Sequence, residues 1–270
     1  RLIRVIQSAA VVTLVLNVIA LWKQEPRGTT RRDRPAAGIT FTEAWTQLRR
    51  DPRTTRLLTA VALGTAGFTM QDILLEPFGG QILGLSVSAT TGLTALLAGG
   101  MLVAFAISAR RLGRGVDPHR VAALGALVGV VAFAMVAIVA IFKSMPAFAI
   151  GVFLIGVGGG LFAVGTLTAA MGLARAGNSG LALGAWGAVQ ATATGVAIAA
   201  GGALRDIVSE LATSGALGPA MTGPATGYAV VYQLEVFLLF ATLAVIGPLA
   251  AFTRPGAKSK SRFGLAEFPS

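Results

Sequence analysis

Residues 57–80 read LLTAVALGTAGFTMQDILLEPFGG, an apolar run that meets Gln71, Asp72 and Glu76 and then a Pro77-Phe78-Gly79-Gly80 break. A run of about 20 apolar residues matches the ~30 Å of hydrocarbon that a membrane helix must cross. A charge at that depth costs at least ~2.5 kcal/mol. Asp72 and Glu76 are therefore expected either to face protein, water or a ligand, or to mark the helix end at the headgroups. Their four-residue spacing puts both on one face of a continuing helix. The stretch reads as a membrane span with chemistry at its far end.

The rest of the chain has the same character. Of 270 residues, 54% are hydrophobic and 12% charged, with a mean hydropathy of +0.76, which excludes an ordinary soluble globule. Runs of span length recur at 2–22, 57–75, 89–109, 121–142, 147–174, 181–204 and 229–252. They predict an all-α polytopic membrane protein of about seven transmembrane helices. The 35 glycines suit helices whose backbones approach closely, because lipid supplies no hydrophobic force between them. With no cysteine, disulfides and thiolate metal sites are excluded.

The formal charge of +11 is distributed unevenly. Alternate connections place 18 of the 22 Lys and Arg residues on one side and leave Arg1, Arg4, Lys143 and Arg205 on the other. Positive residues collect in cytoplasmic loops, so the richer side is expected to be cytoplasmic, with the C-terminus inside. This asymmetry accounts for the basic charge, and a nucleic-acid partner is not expected.

The chain opens on Arg1 and runs at once into a span. The expectation is that helices precede it. Many carriers consist of two six-helix halves joined by a cytoplasmic loop. On that plan 1–22 is the last helix of an N-terminal half, 23–56 a cytoplasmic linker, 57–252 a six-helix C-terminal half and 253–270 a cytoplasmic tail. Within the linker, Thr40-Phe41-Thr42-Glu43 fits a capping box. Phe41, Trp45 and Leu48 then recur on one face before Asp51-Pro52. A short amphipathic helix on the membrane surface is expected there, its arginines touching phospholipid or a docked partner.

Gly158 begins a loose match to G-x-G-x-x-A, but it lies in mid-span, where no nucleotide could meet a strand, a turn and a helix start. Gly151, Gly156, Gly160 and Gly165 are read instead as a helix-packing surface or as a smooth wall for a flat ligand. The one histidine, His119, sits in the basic turn Arg110 to Arg120 and cannot assemble a metal cluster. That turn resembles the glycine-bearing basic loop of major facilitator carriers and equally suits a solvated cytoplasmic turn. There is no phosphate loop and no H-E-x-x-H, so no enzyme is expected. The polar residues within spans are Gln71, Asp72 and Glu76, then Gln190 with Thr192 and Thr194, then Gln233 with Glu235. No Lys or Arg occupies the middle of a span to pair with Glu235, so a protonated or ligand-bound carboxyl is expected.

Three segments carry a more specific signal. Residues 70–96 include Met70-Gln71-Asp72 through Gly80, Gln81-Ile82-Leu83-Gly84-Leu85-Ser86-Val87 and Thr90-Thr91-Gly92-Leu93-Thr94-Ala95-Leu96. Residues 180–190 read GLALGAWGAVQ, and residues 201–206 read GGALRD. Together they resemble the bacteriochlorophyll-delivery family, the PucC and LhaA type of light-harvesting assembly factor. The resemblance implies a major facilitator-like fold, of which this chain would be the C-terminal half, in the intracytoplasmic photosynthetic part of a bacterial inner membrane. It implies a role in binding bacteriochlorophyll and delivering it to nascent light-harvesting α and β polypeptides, among membrane lipids. The residues that would line a pigment site are then Gln71, Asp72, Glu76, Phe78, Trp186, Gln190 and Glu235. Magnesium favours oxygen donors, so Glu76, Gln190 and Glu235 are the candidate ligands of the chlorin metal. A proton-coupled carrier of a small solute or lipophile is the alternative, and a passive subunit of a light-harvesting ring is a third reading.

Overall fold

The opening run folds as two helices joined by a tight turn. The computed structural model describes residues 51–142, 144–173 and 179–251, together with Val11, Val12, Leu14, Val15, Leu16, Val18, Thr46 and Arg50. Helix α1 spans Pro52–Thr69, a 3-10 turn covers Met70–Ile73, and α2 spans Leu75–Gln81. They are followed by α3 (Val87–Gly113), α4 (Pro118–Phe142), α5 (Met145–Leu173), α6 (Ser179–Thr213) and α7 (Ala225–Ala251). Among the described residues there is no strand, and six helical stretches are long and apolar enough to cross a membrane. The chain is thus an all-α polytopic membrane protein, with those six stretches overlapping six of the seven expected runs. The expected span 2–22, the surface helix after Thr40 and the tail 253–270 lie almost wholly outside the described residues. By packing, the chain divides into units 1–40 and 41–270. In the first, the described residues from Val11 to Val18 are helical; all the labelled helices belong to the second.

Helix starts follow local chemistry. Asp51 caps α1 by accepting from the Arg53 backbone N–H at 2.9 Å, and Pro52 opens the helix where its missing N–H costs nothing. Ser86 caps α3 through the Ala89 N–H. Asp117 accepts from the backbone N–H groups of His119 and Arg120, and its carboxylate lies 3.1 Å from His119 Nδ1. The basic turn is thus organised around a helix start, with Gly115 at φ 80°.

Two span ends differ from expectation. The first run continues through Pro77 to Gln81, because Pro77 lies in the opening turn of α2, where an absent N–H is tolerated. The proline ring instead excludes an α-helical carbonyl four residues earlier, at Ile73, and the break falls there. Helix α6 runs on past Leu204 to Thr213, because Arg205, which reads as a terminus, is held by other helices.

Helix α5 packs between α3 and α4, while α7 lies against α1 and α4, and α6 against α1 and α7. The α5 glycines make these approaches. A Cβ on Gly156 would stand 2.1 Å from the Leu97 carbonyl oxygen of α3, and one on Gly165 would stand 2.5 Å from the Ala122 nitrogen of α4. Their use is backbone packing on both sides of α5 rather than a wall for a ligand. Helices α3 and α6 are the least buried of the six spans.

Candidate functional site

The break between α1 and α2 is where the polar residues meet. Gln71 is only 1% exposed. Its side chain folds back, with Nε2 donating to Asp72 Oδ1 at 2.5 Å and to the Phe68 carbonyl at 3.4 Å. Asp72 is exposed, as is Glu76, but they do not share a partner. Glu76 accepts from Thr94 Oγ1 on α3 at 2.9 Å. The expected common face assumed one continuous α-helix; a 3-10 turn, with its different rotation per residue, intervenes, and the two carboxylates take different partners, Gln71 and Thr94. Helix α6 closes on the same turn through glycine: a Cβ on Gly201 would lie 2.9 Å from the Met70 carbonyl oxygen.

Helix α7 supplies the other wall. Tyr228, Tyr232, Glu235, Leu239, Thr242 and Ile246 are all buried to 1% exposure or less, at alternating spacings of four and three, so they form one inward stripe. Glu235 belongs to this stripe at 0% exposure. It faces the turn that carries Gln71 and Asp72, whose groups bear on its carboxyl. Both carboxyl oxygens, the Tyr232 hydroxyl and Gln71 Oε1 are buried with no hydrogen-bond partner.

An aromatic cluster surrounds these groups. Phe78 sits at its centre, with ring centroids 5.1 Å from Phe148, 5.3 Å from Tyr228 and 5.6 Å from Tyr232. Phe133 continues the chain from Tyr232 to Phe68, and Phe68 reaches Phe162 at 5.7 Å. Beyond Tyr228, a polar cluster joins three helices. The Tyr228 hydroxyl donates to Gln81 Oε1 at 2.7 Å, and Arg205 Nη2 donates to the same oxygen at 2.7 Å and to the Tyr228 hydroxyl. The guanidinium lies 4.6 Å from the Tyr228 ring centroid and pairs with Asp206 at 2.5 Å.

The sequence-predicted residues therefore fall into three groups. Gln71, Asp72, Phe78 and Glu235 come together at the break. Glu76 stands apart on an exposed slope with Thr94; Thr91 and Ala98, one turn either way on α3, are exposed as well, and Gly80, one turn beyond Glu76, has open space above it. Trp186 is elsewhere, donating from Nε1 to Thr166 Oγ1 at 3.3 Å and packing on the cluster of Leu57, Val61, Ala169, Ala170 and Leu249. Gln190, one turn further along α6, is half-buried. Tyr232, Tyr228, Gln81 and Arg205 were not singled out from sequence. The available signal was Arg205 itself, a lone arginine at the edge of an apolar run with both tyrosines of the chain in the next span. Among the described residues, no group of three or more His, Cys, Asp and Glu side chains is placed to hold a metal ion.

Comparison with known proteins gives a coherent result. The family model described as PUCC protein matches residues 1–253. A Rhodobacter capsulatus protein, named for its place in the puhA–bchM intergenic region, is 52% identical over the whole chain and 57% of its own length. Protein PucC of Rhodovulum sulfidophilum is 53% identical over 70% of this chain and 42% of its own length. A third relative, the bacteriochlorophyll synthase 44.5 kDa chain of Rhodobacter capsulatus, is 29% identical over 68% of this chain and 45% of its own length. The chain spans about half the length of these curated relatives. No solved structure matches it.

Proposed function

The chain belongs to the PUCC protein family, and from that membership we propose that it serves assembly of the photosynthetic apparatus by binding bacteriochlorophyll and passing it to light-harvesting α and β polypeptides. The setting is a bacterial inner membrane, with the arginine-rich turns and the C-terminus on the cytoplasmic side. No covalent step is assigned to the chain; its work is binding, orientation and release.

The observation that carries this reading at the site is the position of Glu76. A bacteriochlorophyll needs a flat apolar surface and one donor for its magnesium, which accepts carboxylate oxygen readily. Glu76 offers such an oxygen on an exposed slope of small residues, Gly80 on its own helix and Thr91 and Ala98 on α3. Gln190, also within reach of the surface, is the second candidate. Glu235 is enclosed at 0% exposure beside the aromatic cluster of Phe78 and Tyr232, so a macrocycle could reach it only after those rings had parted. Bound at Glu76, the pigment would supply its own colour and metal, while the protein supplies an oxygen and an apolar face. A single ligand already engaged with Thr94 is a weak one, which suits cargo that must be handed on.

The test is purification of the full-length protein in mild detergent, with an absorbance spectrum and identification of co-purifying polypeptides. Bacteriochlorophyll and α polypeptide are expected, and Glu76→Ala should lower pigment per protein several-fold while leaving the folded yield unchanged. A colourless protein that concentrates a solute inside vesicles would overturn the proposal in favour of a carrier.

A further inference from the structure

We propose that Glu235, Gln71 and Tyr232, at the break between α1 and α2, form a binding site for a small hard monovalent cation. Four buried polar atoms there have no hydrogen-bond partner: both oxygens of Glu235, Oε1 of Gln71 and the hydroxyl of Tyr232. All four are oxygens, the donor type that hard cations select. Leaving so many buried oxygens unsatisfied is unfavourable, since each has given up its water without a replacement. One ion touching several of them removes most of that cost at once.

The surroundings favour positive charge. Helix α1 ends at Thr69, so its last carbonyls and the negative end of its dipole are directed at the turn that carries Gln71. Interrupted membrane helices offer cations such a helix C-terminal end; here the Ala66 and Phe68 carbonyls already accept from the Met70 N–H and Gln71 Nε2, so the side-chain oxygens are the donors left over. Asp72 adds a second carboxylate beside Glu235, but its Oδ1 already accepts from Gln71 and its side chain reaches the exterior. Arg205, the cation at the Tyr228 end of the stripe, is paired with Asp206. Among the described residues Glu235 therefore has no cationic side chain to offset it, and one added positive charge would make the enclosed group neutral. A divalent ion would overcompensate it, which is why the inference is a monovalent one. The break and the cluster of unsatisfied oxygens, two of them those of the buried carboxylate, converge on the same place.

The experiment compares thermal unfolding of the full-length protein in sodium chloride and in choline chloride at equal ionic strength and alkaline pH, where proton competition is lowest. A sodium concentration ten times the dissociation constant should lower the apparent unfolding equilibrium constant about 11-fold. Glu235→Gln should fold and lose that sodium dependence. Should that variant not fold, Tyr232→Phe, which deletes one oxygen and keeps the ring, should shift the sodium titration several-fold to higher concentration. Equal unfolding in sodium and choline would overturn the inference and leave a proton as the partner of Glu235. Sodium dependence that survives Glu235→Gln would overturn it as well. Pigment content is read on the same samples, so failure here with pigment retained leaves the delivery reading intact.

Discussion

Arg205 illustrates how one side chain can be read two ways. In sequence it looks like the end of a span, a residue waiting for headgroups. In the fold its Nη2 donates to Gln81 and Tyr228, Nη1 pairs with Asp206, and the guanidinium covers the Tyr228 ring, so α2, α6 and α7 are tied at one point. Gln81 and Asp206 are exposed and the Tyr228 hydroxyl keeps Gln81 as its acceptor, so the loss is the net worth of hydrogen bonds to a charged group, about 1.5–3 kcal/mol. Arg205→Leu is therefore expected to destabilise by about 2 kcal/mol, and Arg205→Lys by roughly half that, since lysine keeps the charge but loses the planar fork. Denaturant unfolding in detergent would measure both. A loss for Arg205→Leu within the roughly 0.5 kcal/mol typical of surface substitutions would show that the three-helix tie contributes nothing.

Among the elements, α5 makes the sharpest prediction because its glycines are in two-sided contact. Gly156→Ala would drive a Cβ to 2.1 Å from the Leu97 carbonyl oxygen, a backbone atom that cannot swing aside. Overpacking of this kind costs about 1–3 kcal/mol, and α3 and α5 should separate measurably. Gly195→Ala on α6 is the matched control. Its Cβ would meet nothing within 4 Å, so gain of helix propensity should leave stability unchanged or raise it by about 0.5–1 kcal/mol. Thermal unfolding of the two variants should move in opposite directions; equal shifts would mean that α3 and α5 do not approach as closely as described.

The same contrast explains what the amino-acid order made legible. Six apolar runs were readable as helices because span length and composition are local properties. The packing role of Gly156 was legible only as one of two alternatives, since its partner Leu97 is on another helix. The meeting of Glu235 with Gln71 and Asp72 follows from the family resemblance but not from periodicity: it depends on how α7 lies against α1, which the pattern within one helix does not encode. The break was seen but placed too late, at Pro77, because the proline acts on the carbonyl four residues before it rather than at its own position. Glu76 and Asp72 accordingly fall in different elements and take different partners.

At the scale of the molecule, the distribution of arginine makes a claim about sidedness that the helices allow to be tested cleanly. The turn after α3 carries Arg110, Arg111, Arg114 and Arg120, whereas the connection between α6 and α7 carries no Lys or Arg between Asp206 and Ala225. Helices α4, α5 and α6 separate these two connections, three crossings in all, so an odd number of passes puts them on opposite faces. Basic turns are retained inside, so the α3–α4 turn is expected in the cytoplasm and the α6–α7 connection outside. The chain has no cysteine, and Gly113 and Ala216 are both exposed, so Gly113→Cys and Ala216→Cys each introduce a single thiol. A membrane-impermeant maleimide added to intact spheroplasts is expected to label Ala216→Cys and spare Gly113→Cys, with the pattern reversed in inside-out vesicles. Labelling of both from one face would contradict the three intervening crossings. A fully inverted pattern would leave the crossings standing but move Gln81, Arg205 and Tyr228 to the cytoplasmic end, and with them the end of the molecule at which Glu76 would receive or release its pigment.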